Sequence, residues 1–190
     1  FTLIVDYNEG NLFSDLQLSI YQPLLTALNY KRAEKLKNLV RHNKKTKSRG
    51  KCLRWIRLAL AKLQYIENKS TPLKSFHQLP KDSSHLKSSN YTRWNSPGRS
   101  AENFRKWARE NPVSLCHELK LADVKDIPGI SDHEGFIHIY EKGQCGFHPR
   151  HGHIEVLTSK TNKRACSDHC RTMKKECQPE MILAPVTNCN

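Results

Sequence analysis

Apolar residues recur at helical spacing in the first half of this chain and then switch to strand-like alternation, a change of period that limits the folds open to it. From residue 14 to 42, Leu16, Leu18, Ile20, Tyr21, Leu24, Leu25 and Leu28 are followed by Leu36, Leu39 and Val40. Pro23 and Asn29 are expected to divide this stretch into two helices. After the basic loop "HNKKTKSRGK", Leu53, Ile56, Leu60 and Leu63 predict another helix from Cys52 to about Ile66. Ser100 is placed to cap a short helix through "AENFRKWAREN", with Glu102 in its first turn and Pro112 just past its end. A mixed connector with Leu119 and Leu121 follows, and then "GFIHIYEK" and "HIEVLTSK" alternate as half-buried strands do. "TSKTNK" fits the hairpin turn after the second of them. Helices first and a small antiparallel sheet later imply the α+β class, and no fixed-period repeat suggests a solenoid.

A chain of 190 residues fits one domain, or one domain with an extension. Residues 1–45 read as a helical, basic N-terminal extension, and 46–190 as the main domain. Within it, residues 68–95 are rich in Ser, Lys, Asn and Pro without a period and read as a surface excursion, and the C-terminal segment is rich in cysteine. A mean hydropathy of −0.71 fits polar segments outside the core. No window approaches the roughly eighteen apolar residues of a membrane span. "FTLIVDYNEG" lacks the basic start and apolar run of a signal peptide, so the expectation is of a chain with no leader or one already removed.

The net charge of +14 predicts attraction to a polyanion: nucleic acid, anionic lipid or the acidic polymers of a bacterial wall. Eleven bases between Lys31 and Arg54 meet one acid, Glu34, and as a group they suit an electrostatic guide. Of the seven cysteines, Cys52 stands apart. The other six, Cys116, Cys145, Cys166, Cys170, Cys177 and Cys189, can close three bridges in fifteen ways. Several lie in polar stretches such as "RACSDHCRTMKKEC", which suggests an oxidising compartment, the periplasm or the cell exterior.

Cys52 opens a helix behind Gly50, where unpaired backbone N–H groups and the helix dipole favour a thiolate, the form in which cysteine attacks. Such a nucleophile needs a base and a group that orients the base. His153 is the best placed of ten histidines, since it follows a glycine and opens a strand that Ile154, Val156 and Leu157 can hold rigid. Asp168, beyond the hairpin in "RACSDHC", could face it from the adjacent strand. Glu155 shares the face of His153 but is expected to point beside it.

"GKCLRWIRLAL" resembles the nucleophile helix of bacterial papain-like cell-wall cysteine peptidases and amidases, the NlpC and CHAP groups. "SPGRSAENFRKWAREN" is similar to their second helix, and "EGFIHIYEKGQCGFHPRHGHIEVLTSKTNKRACSD" to their consecutive strands with a Gly-His-Ile base motif and a downstream Ser-Asp. The resemblance spans roughly residues 46–170 and departs from the pattern at Gly135-Phe136 and at His169. It implies a papain-like fold in which Cys52 is the nucleophile, His153 the general base and Asp168 the orienting residue. It also implies amide hydrolysis of peptidoglycan peptides through an acyl-enzyme, with no cofactor. A secreted toxin of this kind would have a cognate immunity protein as partner.

Two other readings use the same chain. Cys145, His148, His151, His153, Cys166, His169 and Cys170 form an N/S-rich set that could hold zinc, although their spacing matches no finger pattern. Residues 31–54 could bind nucleic acid, but no aromatic-studded strand accompanies the charge, so no specific nucleic acid is expected as partner.

Overall fold

A computed structural model describes residues 20–42, 52–69, 100–130, 132–174 and 176–189. The basic loop before Cys52, and all of the excursion beyond residue 69, lie outside the described residues. Residues 20–27 are helical through Pro23, and the break falls at Asn29, whose side-chain oxygen accepts from the Arg32 amide at 2.9 Å. Four further helices follow: α1 (Tyr30–His42), α2 (Cys52–Lys69), α3 (Ala101–Glu110) and α4 (Pro112–Leu119). Ser100 caps α3 as expected, its Oγ accepting from the Asn103 amide at 3.1 Å. Pro112, expected only to follow that helix, opens α4 at the position where a missing N–H costs nothing.

Among the described residues six antiparallel strands form one sheet: β1 (Leu121–Asp123), β2 (Ile137–Tyr140), β3 (His153–Ser159), β4 (Arg164–Cys166), β5 (Cys170–Thr172) and β6 (Met181–Pro185). Their order is β1-β6-β2-β3-β4-β5. The architecture is therefore α+β, as the change of period implied. The expected hairpin is present, with β3 and β4 joined through residues 160–163.

α2 packs on β3 and α1, and its Leu53, Ile56, Leu60 and Leu63 are all buried at helical spacing. Each such side chain contributes about 1.5–3 kcal/mol by leaving water. They join Ile137, Ile139, Ile154, Val156, Met181 and Leu183 from alternate positions of the central strands. Ile182 and Ala184, on the other alternation of β6, pack instead with Phe136, Val124 and Ala33. The sheet centre is thus covered on both faces.

Helix α1, within the stretch read as an N-terminal extension, packs into the main core. Leu36 and Val40 of α1 share a cluster with Leu53 and Ile56 of α2. Arg32 is buried and donates to Glu67 at 2.9 Å and to the Leu119 and Lys120 carbonyls. Lys37 pairs with Glu34 and Glu134. Two bases of the supposed electrostatic guide therefore serve packing, Arg32 on Glu67 of α2 and Lys37 on Glu134 of the loop before β2.

Three cysteine pairs stand at bonding geometry: Cys116–Cys189, Cys145–Cys177 and Cys166–Cys170. Cys52 is free and half-buried. Titration of the native protein with a thiol reagent is expected to count one thiol, at Cys52, rising to seven after reduction and unfolding. Among the described residues, no helix is long and apolar enough to cross a membrane.

Candidate active site

Packing of α2 along β3 brings the two elements together near their starts, and each starts on a residue with chemistry: Cys52 and His153. Cys52 lies within interaction range of the His153 imidazole, and the two side chains line the same cleft. The imidazole Nε2–H donates to Glu155 Oε2 at 3.1 Å. His153 is 9% exposed and Glu155 1%, so both interactions are largely shielded from water. Cys52, His153 and Phe147 line an open cleft with Ser100, Asn103 and His148.

Neighbouring groups fix the ring. Phe147 stacks on it with centroids 4.3 Å apart and planes within 10°. Tyr140 is its direct partner across β2, at a centroid distance of 6.2 Å. α3 braces the loop that carries Phe147, for the Glu102 amide donates to the His151 carbonyl at 3.0 Å. Arg105 links Glu102 to Glu141 within the same brace.

Gly152, immediately before the histidine, has φ +61°, and a Cβ there would collide with the Tyr140 carbonyl oxygen. Gly152→Ala is expected to destabilise the protein by about 1–3 kcal/mol. Because the strain falls next to His153, activity should drop more than the melting temperature alone accounts for. Thermal melts paired with rates measured well below the melting temperature would show this.

Glu155, passed over in favour of Asp168, is the carboxylate on the imidazole. His153 and Glu155 are two apart on one strand and share a face, and the imidazole leans along the strand far enough to bond. Asp168 lies in the tip of the β4–β5 hairpin, because Cys166 and Cys170 are direct partners and the chain has already turned by residue 167. There its carboxylate accepts from Ser167 Oγ and His169 Nδ1, each at 3.3 Å. These bonds anchor Asp168 in the hairpin tip, while the carboxylate bonded to the His153 ring is that of Glu155.

Arg171 and Phe147 had no signal of their own in the sequence. Arg171 donates to Glu155 through Nε at 2.8 Å and Nη2 at 2.6 Å, a forked pair. Its guanidinium also lies 4.6 Å from the Phe147 ring centroid.

These contacts set the protonation states. Burial opposes charge on His153, but the hydrogen bonds to Cys52 and Glu155 and the negative charge on both outweigh it, raising the imidazole to about 9. Burial likewise opposes charge on Glu155, yet His153 and Arg171 together hold its carboxyl below the usual range. Burial, reinforced by the charge on Glu155, pushes the Tyr140 phenol up, so it stays neutral beside the pair.

The zinc set is dispersed by the bridges. Cys145, Cys166 and Cys170 are each paired with another cysteine, which removes three thiolates from the proposed ligands. His153 has committed its Nε2 to Glu155. No group of three or more His, Cys, Asp or Glu suited to a metal occurs among the described residues. Comparisons with protein-family models, curated proteins and solved structures give no match to this chain.

Proposed function

We propose that this protein is a papain-like cysteine hydrolase that cleaves amide bonds of bacterial peptidoglycan peptides. The supporting observation is one arrangement: a free cysteine at a helix start, within interaction range of a histidine whose Nε2–H is held by a buried carboxylate. Cys52 attacks the amide carbonyl, and the His153 imidazolium gives its proton to the departing amine. The neutral imidazole then takes a proton from the water that releases the acyl group from sulfur. Glu155 takes the orienting role first given to Asp168, fixing the Nε2–H tautomer and balancing the charge on the ring. The Cys52 backbone N–H lies in the first turn of α2, where the helix provides no acceptor, and is placed to donate to the developing oxyanion.

The substrate class rests on the resemblance of the nucleophile helix and base strand to wall hydrolases, and on charge. A net charge of +14 suits a wall rich in carboxylates and phosphate polymers. The three bridges fit action in the periplasm or after secretion. An antibacterial toxin of this kind would be held in check by a cognate immunity protein.

Digestion of purified peptidoglycan by wild type and by Cys52→Ala tests the proposal. New amino groups and shortened muropeptides should appear with wild type alone, and identical product profiles would remove Cys52 from the mechanism. The protonation states add a pH expectation. His153 must be charged to protonate the leaving amine, so kcat should hold up to about pH 9 and fall roughly tenfold per unit above it. A decline already complete by pH 7.5 would contradict the assigned proton donor.

A further inference from the structure

The β4–β5 hairpin is closed by a bridge and carries a residue that reaches back into the catalytic array. Cys166 and Cys170 are direct partners on the two strands, with Cα atoms 4.0 Å apart. Arg171 is the next residue along β5. Its partner on β4 is Ala165, and Ala165 in turn pairs with Leu157 on β3. Two strand spacings of about 4.8 Å each separate β5 from β3. An arginine can cover that distance, and the methyl of Ala165 between them leaves room. At the far end Arg171 makes both hydrogen bonds of the forked pair with Glu155.

We infer that Arg171 is a positioning residue for Glu155, and that the Cys166–Cys170 bridge holds it there, so that hydrolase activity depends on this disulfide remaining oxidised. The inference rests on the proposed hydrolase reading. Two properties of the site favour it. β5 is a three-residue strand at the edge of the sheet, paired only with the three-residue β4 among the described strands, so few backbone bonds hold it. In addition, Glu155 is buried with His153 on its own strand, Tyr140 and His138 on β2, and Arg171 on β5. Of these, Arg171 supplies a permanent positive charge. Without it, burial pushes the Glu155 carboxyl upward and its grip on the imidazole loosens.

Opening the bridge is a two-electron reduction. A dithiol such as dithiothreitol transfers two electrons and two protons, the S–S bond becomes two thiols, and the reductant closes to its own cyclic disulfide. In a reducing compartment the enzyme would be held in a low-activity state, and export to an oxidising one would complete the site.

Three variants test this: Cys166→Ser/Cys170→Ser, Arg171→Met with the bridge intact, and Cys116→Ser/Cys189→Ser as the control for loss of a bridge elsewhere. The first two should lose about tenfold or more in kcat with KM within about twofold, and the acid limb of kcat, set by ionisation of Glu155, should move to higher pH. The control should keep the wild-type kcat and limb. If the double serine variant does not fold, graded reduction of wild type replaces it: activity is read first, and opened cysteines are then mapped by alkylation and mass spectrometry. Activity should fall in step with labelling at Cys166 and Cys170. Wild-type kcat and an unchanged acid limb with this bridge open, or in Arg171→Met, would overturn the inference. The carboxyl titration of Glu155, followed by ¹³C NMR in the oxidised and bridge-open proteins, needs no substrate. A higher midpoint on opening supports the coupling even if no peptide is cleaved, whereas failure of all Cys52-dependent hydrolysis counts against the functional reading alone.

Discussion

On the proposed hydrolase reading, Cys52→Ala should leave the protein folded and cleavage of peptidoglycan peptides about ten-thousandfold or more below wild type. The size of the effect follows from the role: without sulfur no acyl-enzyme forms, and neither His153 nor Glu155 provides another nucleophile in that place. Stability should change by less than about 1 kcal/mol, since the side chain is small and half-buried at a helix end. Cys52→Ser should be inactive as well, although it keeps a hydrogen bond to His153. Matching thermal melts beside absent product would separate a chemical loss from a folding one.

Glu155→Gln should be nearly as damaging to turnover and far more damaging to the fold. A neutral amide cannot balance the imidazolium, and it can offer Nε2 a donor in place of an acceptor, which favours the wrong tautomer. Turnover should fall about a thousandfold. Arg171 would lose its forked partner while only 17% exposed, a cost of about 3 kcal/mol. For a chain of this length that lowers the melting temperature by about 6–12 °C. The alkaline limb of the residual activity should also move down from about 9, because the carboxylate that raised His153 is gone. Asp168→Asn, at the hairpin tip, should keep turnover within about tenfold of wild type. A thousandfold loss in Asp168→Asn and none in Glu155→Gln would reverse the assignment.

The placements of Cys52 and His153 were legible because each depends on local pattern. Cys52 opens an amphipathic stretch with Leu53, Ile56, Leu60 and Leu63 on one face, and His153 opens an alternating strand behind a glycine. The third residue was not, because its choice depends on side-chain direction. Glu155 and Asp168 are both acids near His153 in sequence, and preference for a cross-strand partner pointed to Asp168. The observed strand β4 ends at Cys166, two residues too early for that partnership. A signal for Glu155 was present in "HIEVL", where a carboxylate takes the same strand face as the histidine. Arg171 left no such trace, since its contact with Glu155 crosses a whole strand and relies on the small Ala165 between.

Elements at the sheet margins were similarly hidden. β1 is three residues long and β6 is the apolar run "MILAP", too short and too uniform to show a period. α1 looked separable because eleven bases crowd residues 31–54, yet Ala33, Leu36 and Val40 on its other side are buried. Its basic composition said little about whether it belongs to the core, because long charged side chains can leave a helix face while apolar ones stay in.

The central claim is that a single imidazole is held between the sulfur of Cys52 and the carboxylate of Glu155. Following the ¹⁵N signals of the His153 ring by NMR as pH is raised tests it without any substrate. The account predicts a midpoint near 9 in wild type, falling toward 6.5 in both Cys52→Ala and Glu155→Gln. A wild-type midpoint near 6.5 that neither substitution moves would contradict it.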